Sequence, residues 1–117
     1  MAVQRFEDLQ VWNKSQDLAV KTFQEFENCK LFSLKDQIFR ASVSISNNIA
    51  EGFERNSNKD FTRFLFISLG SVSEVRSMLY LACRLQIIDE PSFNQLKSLT
   101  DEISKMLYGL IKSMKMN

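Results

Sequence analysis

The chain has 117 residues, the usual size of a single domain, and its 15 Lys and Arg against 14 Asp and Glu leave a net charge of +1. That near-neutral balance excludes attachment to nucleic acid by overall charge, although it leaves room for a local basic patch. Three glycines and one proline are too few to punctuate a many-stranded sandwich or barrel, so the composition favours long helices.

The composition also removes most catalytic and metal-binding arrangements. The chain has no His, which is the commonest general base, the commonest metal ligand and the usual partner of a Ser or Cys nucleophile. The two cysteines, Cys29 and Cys83, form no CxxC pair and cannot complete a four-ligand zinc site. We therefore expect no catalytic residue, no metal and no cofactor.

Four amphipathic segments follow one another along the chain, at about residues 8–28, 34–53, 58–86 and 91–114. Apolar residues recur in each segment at intervals of three or four, which indicates a helix with one buried face. In the first segment the predicted buried face consists of Val11, Trp12, Leu18, Ala19, Phe23 and Phe26. In the second segment it consists of Leu34, Ile38, Ala41, Ile45 and Ile49.

Turn and capping residues separate these segments. Gly52 predicts the end of the second helix, because glycine accepts the left-handed conformation that closes helices. Ser57 begins a sequence that resembles a capping box ahead of the third helix. Pro91 suits the first turn of the fourth helix, with Asp89 or Glu90 near its positive end.

Four helices with short connections predict an all-α fold, an antiparallel up-down-up-down four-helix bundle, with residues 1–117 as a single domain. No stretch reaches the ~18 consecutive apolar residues of a membrane span, and the first residues contain no apolar run typical of a signal sequence. We therefore expect no contact with a membrane and a cytoplasmic location.

Two of the helices carry more apolar residues than one buried face needs. The extra faces contain Phe39, Val43 and Ala50 on the second helix, and Phe66, Gly70, Ser77 and Leu81 on the third. Ordinary surfaces also expose scattered apolar side chains, and that is the alternative interpretation. We expect instead that these faces form a second buried interface between copies of the chain, and hence a homo-oligomer.

A run of serine and asparagine inside the second helix is unusual, because both are mediocre helix formers. The charged and amide residues that could contact a ligand in or near this run are Arg40, Asn48, Glu51, Arg55 and Arg63. In the first, internal interpretation these polar side chains bond to one another between the helices. Asn48 then fixes the register of the helices, and Arg40 or Arg76 forms an ion pair with Glu51 or Glu74. The other interpretation is a polar groove that binds phosphate or a partner peptide.

Several runs of residues carry a resemblance to a known family. They are Phe6 to Trp12, Ser42 to Gly52, Phe61 to Leu65 and Gly70 to Glu74. Together they resemble the four helix bundle protein family, also called the 23S rRNA-intervening sequence proteins, over most of the chain. The run from Ser44 to Gly52, with the pattern Ser-Ile-x-x-Asn-Ile-Ala-Glu-Gly, is the most specific part of the resemblance.

The resemblance implies a four-helix bundle that assembles into a homopentameric ring and has no established enzymatic activity or catalytic residue. Many members of the family are encoded within insertions in large-subunit ribosomal RNA genes. A relative, the accessory variability determinant of diversity-generating retroelements, is a basic pentamer that binds nucleic acid and a reverse transcriptase. The present chain differs in being nearly neutral, and in having Cys29-Lys30-Leu31-Phe32 where relatives often have Phe-Pro.

The residues and the resemblance together predict a non-enzymatic, self-associating helical scaffold that binds RNA, DNA or a ribonucleoprotein partner. The alternative is a protein-interaction adaptor whose groove receives an amphipathic helix of a partner and never contacts nucleic acid. The enzymatic alternative is a ribonuclease resembling the helical nucleases with an Arg-x4-His motif, and the absence of His speaks against it.

Overall fold

The protein is an all-α fold built from four helices, as predicted. The computed structural model describes residues 3–115, in which a short 3₁₀ turn precedes the first α-helix. The helices are Gln10–Glu25 (α1), Phe32–Phe53 (α2), Asn58–Arg84 (α3) and Glu90–Lys115 (α4). The predicted domain of residues 1–117 includes residues 1, 2, 116 and 117, which lie outside the described ones.

Helices that follow one another in sequence are neighbours in space. α1 and α3 each pack against both α2 and α4. Within residues 3–115 the diagonal pairs, α1 with α3 and α2 with α4, make no close backbone contact, so the four helices occupy the corners of a square in chain order. Connections of four to six residues reverse the chain direction each time and give the up-down-up-down bundle, which measures 46 × 21 × 20 Å.

The helix bounds differ from the predicted ones by a few residues, for local reasons. The first helix, predicted at residues 8–28, is observed at Gln10–Glu25, because the 3₁₀ turn occupies Phe6–Asp8 and the chain leaves helical geometry after residue 25. The second helix, predicted at residues 34–53, already begins at Phe32. The fourth helix is one residue longer at each end than predicted.

Each helix buries one apolar face in a shared core. The fully buried side chains of this core include Leu18, Ile38, Ile45, Ile49, Leu65, Leu79, Leu96, Ile103 and Leu107. All members of the predicted α2 stripe are buried, which confirms the helical period read from the sequence. Full burial of one such side chain contributes about 1.5–3 kcal/mol, so this core is the main source of stability.

Side-chain caps begin α3 and α4 where the sequence predicted them. Ser57 Oγ accepts a hydrogen bond from the Asp60 backbone N–H at 3.1 Å. Asp89 Oδ1 accepts one from the Ser92 backbone N–H at 2.9 Å. The hydrogen bond from the Ser92 backbone holds the pKa of the Asp89 carboxyl below its ordinary value, because it stabilises the charged form.

α3 contains a long apolar stretch. By length and composition alone it could cross a membrane. In the bundle, 44% of this stretch is buried, and the helix packs against both α2 and α4. The expected lack of membrane contact stays a prediction.

The end of α3 is closed by a residue in the left-handed conformation. Gln86 has φ 60° and is the single non-glycine residue with positive φ among residues 3–115. The Ile87 N–H donates to the Ala82 carbonyl at 2.9 Å, and the Gln86 N–H donates to the Cys83 carbonyl at 3.0 Å. This is a Schellman ending, in which glycine usually occupies the position of Gln86.

We expect Gln86→Gly to raise the free energy of unfolding by about 1 kcal/mol, because glycine adopts positive φ without the steric cost of a Cβ. Urea denaturation measures the change. Gln95→Gly, the same substitution at an exposed position inside α4, is the control and should lower stability. A loss of stability in both variants would contradict the explanation.

Candidate interaction surfaces

The serine and asparagine side chains of α2 are used largely inside the bundle. Asn48 Nδ2 donates to the Ser44 carbonyl oxygen at 2.8 Å and to Ser44 Oγ at 3.0 Å. Ser71 Oγ of α3 donates to Ser44 Oγ at 3.0 Å. The fully buried Ser68 donates from its Oγ to the Ile45 carbonyl at 2.9 Å. The bonds from Ser68 and Ser71 fix the register of α2 against α3. The bonds of Asn48 stay within α2, so its side chain is used internally but does not itself set the register of the helices.

Gly52 lies at a close approach of α2 and α3. A Cβ added to it would lie 2.6 Å from Phe64 Cβ and 3.0 Å from Phe61 Cδ1. The helix ends at Phe53, close to the predicted position, but none of the glycines in the described part of the chain has positive φ. The predicted reason for Gly52, a left-handed helix end, is therefore wrong. The position needs glycine for space.

Three of the predicted ligand contacts gather where α2 ends and α3 begins. Arg55 Nη2 donates to Glu51 Oε1 at 3.0 Å. The guanidinium carbons of Arg55 and Arg63 each lie 4.9 Å from the centroid of the Phe64 ring, within cation–π range. These four residues are termed the arginine cluster. The Phe64 ring is almost buried, whereas Arg63 is exposed and forms no ion pair within residues 3–115.

Arg40 lies apart from the arginine cluster. It is on α2, about 20 Å along the helix axis from the end near the cluster. With Phe39, Val43 and the predicted ligand residue Asn48 it lines a shallow depression of about 480 Å³. No hydrogen bond or ion pair of Arg40 occurs in the described part of the chain. The five predicted polar residues therefore do not form one site.

The observed ion pairs differ from the predicted ones. Arg40 and Arg76 do not pair with the glutamates predicted for them. Arg76 Nη1 instead donates to Asp101 Oδ1 of α4 at 3.2 Å, and Lys97 donates to Asp101 Oδ2 at 2.9 Å. The hydrogen bond from Lys97, with that from Arg76, holds the pKa of the Asp101 carboxyl below its ordinary value. The bond from Arg76 links α3 to α4, whereas the bond from Lys97 lies within α4.

Exposed apolar side chains of α1 and α2 line a groove on one side of the bundle. Val20, Phe23 and Phe39 are 54%, 50% and 39% exposed, and the two phenylalanine ring centroids lie 5.5 Å apart. Together with the half-buried Val43 they line a volume of about 570 Å³. These four residues are termed the α1–α2 groove. The exposure of Phe39 agrees with the sequence prediction, and Ala50 of the same predicted face is half-buried.

The contribution of α1 to this groove is missing from the sequence prediction. Phe23 is predicted in the buried face of the first helix, and this is wrong. At about 100° per residue, Phe23 lies about 140° around the helix from the fully buried Leu18 and only about 60° from Val20. Angles measured from Leu18 would have placed both residues on the outer side.

The outer face of α3 carries a second apolar surface. Phe66 and Leu81 are about half exposed, and Gly70 and Ser77 are exposed between them, as predicted. A Cβ added to Gly70 would meet no atom within 4 Å, so packing within one chain does not require glycine there. These four residues are termed the α3 strip.

The fold and these surfaces define a small helical bundle with apolar surfaces on two sides and two arginines held on one aromatic ring. Within residues 3–115, no three His, Cys, Asp or Glu residues cluster as metal ligands would. The family described as 23S rRNA-intervening sequence protein matches residues 7–109. The chain belongs to this family, which confirms the resemblance seen in the sequence.

A solved structure is similar over most of the chain. It is a protein of unknown function from the S23 ribosomal protein family of Bacteroides thetaiotaomicron, with 31% sequence identity and a TM-score of 0.82. The similarity covers 87% of this chain and 98% of that chain. A search of curated proteins finds no match. The similarity supports the family and the four-helix fold.

Proposed function

We propose that this protein is a non-enzymatic cytoplasmic scaffold that assembles from several copies and binds RNA or a ribonucleoprotein partner. The observation that carries the proposal is the exposure of apolar side chains on two sides of the bundle, in the α1–α2 groove and the α3 strip. Burying a large apolar side chain contributes about 1.5–3 kcal/mol, so covering these surfaces favours association. Contiguous exposed apolar patches are typical of interaction sites.

A ring of five copies, which the family resemblance implies, suits such a chain. Every copy in a ring has two neighbours, so apolar surfaces on two sides can both be covered. A ring also repeats each polar feature of the chain around its circumference. We propose the pentamer as the assembly size.

The RNA-binding part of the proposal depends on the arginine cluster. Arginine presents a planar set of N–H donors that suits phosphate, and stacking on Phe64 limits the motion of both guanidinium groups. An assembly repeats the cluster once per copy, so weak contacts with one RNA add up through avidity. Repetition offsets the small net charge of a single chain.

A protein-interaction adaptor is the second candidate. The observation that favours it is the apolar lining of the α1–α2 groove, which matches the face of an amphipathic helix. In this case the ligand is a protein segment, and the arginine cluster contacts no nucleic acid.

Size-exclusion chromatography with light scattering, at micromolar concentration, tests the self-association. We expect a mass several times 13.6 kDa, and five times that value for the proposed ring. Native mass spectrometry of the complex purified from cells, with and without nuclease, then identifies the ligand, which we expect to be RNA. A monomer at this concentration would contradict the scaffold. A protein partner that survives nuclease treatment, without RNA, would favour the adaptor.

A further inference from the structure

The groove and the strip are unlike in shape and lie on different sides of the bundle. The groove is a concave seam between α1 and α2, whereas the strip is on the outer face of α3, the helix diagonal to α1. Lys115 Nζ of α4 lies 5.9 Å from the centroid of the Phe66 ring, so this end of the strip faces α4 and is turned away from the groove. A two-fold dimer buries the same patch of both copies, and would leave one of these surfaces uncovered.

The two surfaces lie at the same height along the bundle. The hydrogen bond between Ser71 and Ser44 sets these residues level with each other on α3 and α2. Phe39 is five residues, or about 7.5 Å, nearer the start of α2, which makes it level with about residue 76 of α3. That height falls between Gly70 and Leu81, so the groove is level with the middle of the strip.

The shapes of the two surfaces are complementary. The paired rings of Phe23 and Phe39 line the groove and are 50% and 39% exposed. The middle of the strip carries only the small residues Gly70 and Ser77. A Cβ added to Gly70 would meet no atom of its own chain within 4 Å. A neighbouring bundle at the same height can therefore bring its α3 close to these rings. This close approach supplies the reason for glycine that a single chain lacks.

Charges at one end of the two surfaces are also complementary. Glu27 lines the end of the groove, and Lys35 Nζ donates to its backbone carbonyl at 2.8 Å, which places Glu27 beside the start of α2. Arg84, which follows the strip on α3, is level with the same end of the bundle. Neither the Glu27 carboxylate nor the Arg84 guanidinium has an ion-pair partner within residues 3–115. Two copies side by side bring these opposite charges to the same height.

We infer that the α1–α2 groove of one copy receives the α3 strip of the next copy, with the two bundles side by side at the same height. The inference rests on the proposed self-association and names the surfaces that meet. Each copy offers its groove to one neighbour and its strip to another, so the contact is heterologous and the assembly either closes into a ring or extends as a filament.

Mixing two blocked variants tests this pairing. Val20→Glu places a charge in the groove, and Gly70→Glu places one on the strip, both at exposed positions that leave the core intact. We expect each variant alone to self-associate at least about tenfold more weakly than the wild type. In an equal mixture, the intact groove of the Gly70→Glu chain meets the intact strip of the Val20→Glu chain. The mixture should form a heterodimer of twice 13.6 kDa and no larger species.

Gly109→Glu is the matched control, because Gly109 is also an exposed helical glycine whose added Cβ would meet no atom within 4 Å. It should assemble like the wild type. Circular dichroism checks folding, and Phe23→Ser replaces Val20→Glu if that variant loses helicity. If the wild type assembles and both variants also assemble, the pairing is wrong. It is also wrong if the wild type assembles but the mixture of variants stays monomeric. Either result leaves the proposed self-association intact. A monomeric wild type would overturn both.

Discussion

Gly52→Ala is expected to lower the free energy of unfolding by about 1–2 kcal/mol, although alanine is the better helix former by about 1 kcal/mol. The added Cβ would lie 2.6 Å from Phe64 Cβ, a distance that requires one of the two atoms to move. A Cβ is fixed to its own backbone, so the clash cannot be relieved by rotating the Phe64 ring. α2 and α3 must separate locally, which disturbs the packing on both sides of the contact. Urea denaturation measures the loss.

Two further variants separate this clash from helix propensity. Gly109→Ala is the control, because an added Cβ there meets no atom within 4 Å, and it should raise stability by about 1 kcal/mol. Phe64→Leu in the Gly52→Ala background should not restore stability, because leucine keeps the Cβ that clashes. A Gly52→Ala protein as stable as the wild type would show that the helices have room for the methyl group.

The fold could be predicted from sequence because burial repeats with the helical period. The α2 stripe from Leu34 to Ile49 is buried throughout, and the Ser57 cap occurs where the sequence placed it. Gly52 shows the limit of this reasoning. A glycine near a helix end is compatible both with a left-handed helix end and with a close contact between helices. The sequence does not distinguish these two reasons, because it gives no distance between α2 and α3.

The candidate surfaces were predictable only in part. Phe39 and the α3 strip follow from helical angles within one helix, whereas Phe23 joins Phe39 only because α1 packs beside α2. Arg55 and Arg63 belong to different elements and meet at Phe64. The ring is nearly buried and also holds two surface arginines, a double role that periodicity cannot reveal.

Binding of RNA is expected to depend on the arginine cluster. Arg55→Ala and Arg63→Ala should each weaken binding at least tenfold, or about 1.4 kcal/mol, because each removes a guanidinium group from every copy in the assembly. Fluorescence anisotropy with a labelled RNA of mixed sequence, started at about 50 mM salt, measures the affinity. The slope of log affinity against log salt should become shallower by about one for each phosphate that the variant no longer binds.

Two kinds of control distinguish a phosphate site from general charge. Arg76→Ala removes an α3 arginine whose side chain is 46% exposed, the same fraction as for Arg55. Arg76 pairs with Asp101 on α4 and lies outside the arginine cluster, so this variant should leave RNA affinity unchanged. Glu51→Gln removes the carboxylate that competes with phosphate for Arg55, so it should strengthen binding more than Glu74→Gln, the same charge change elsewhere. Equal effects of the cluster and control variants would show that overall charge governs binding. No binding at about 50 mM salt would remove RNA from the proposed function and favour the protein-interaction adaptor.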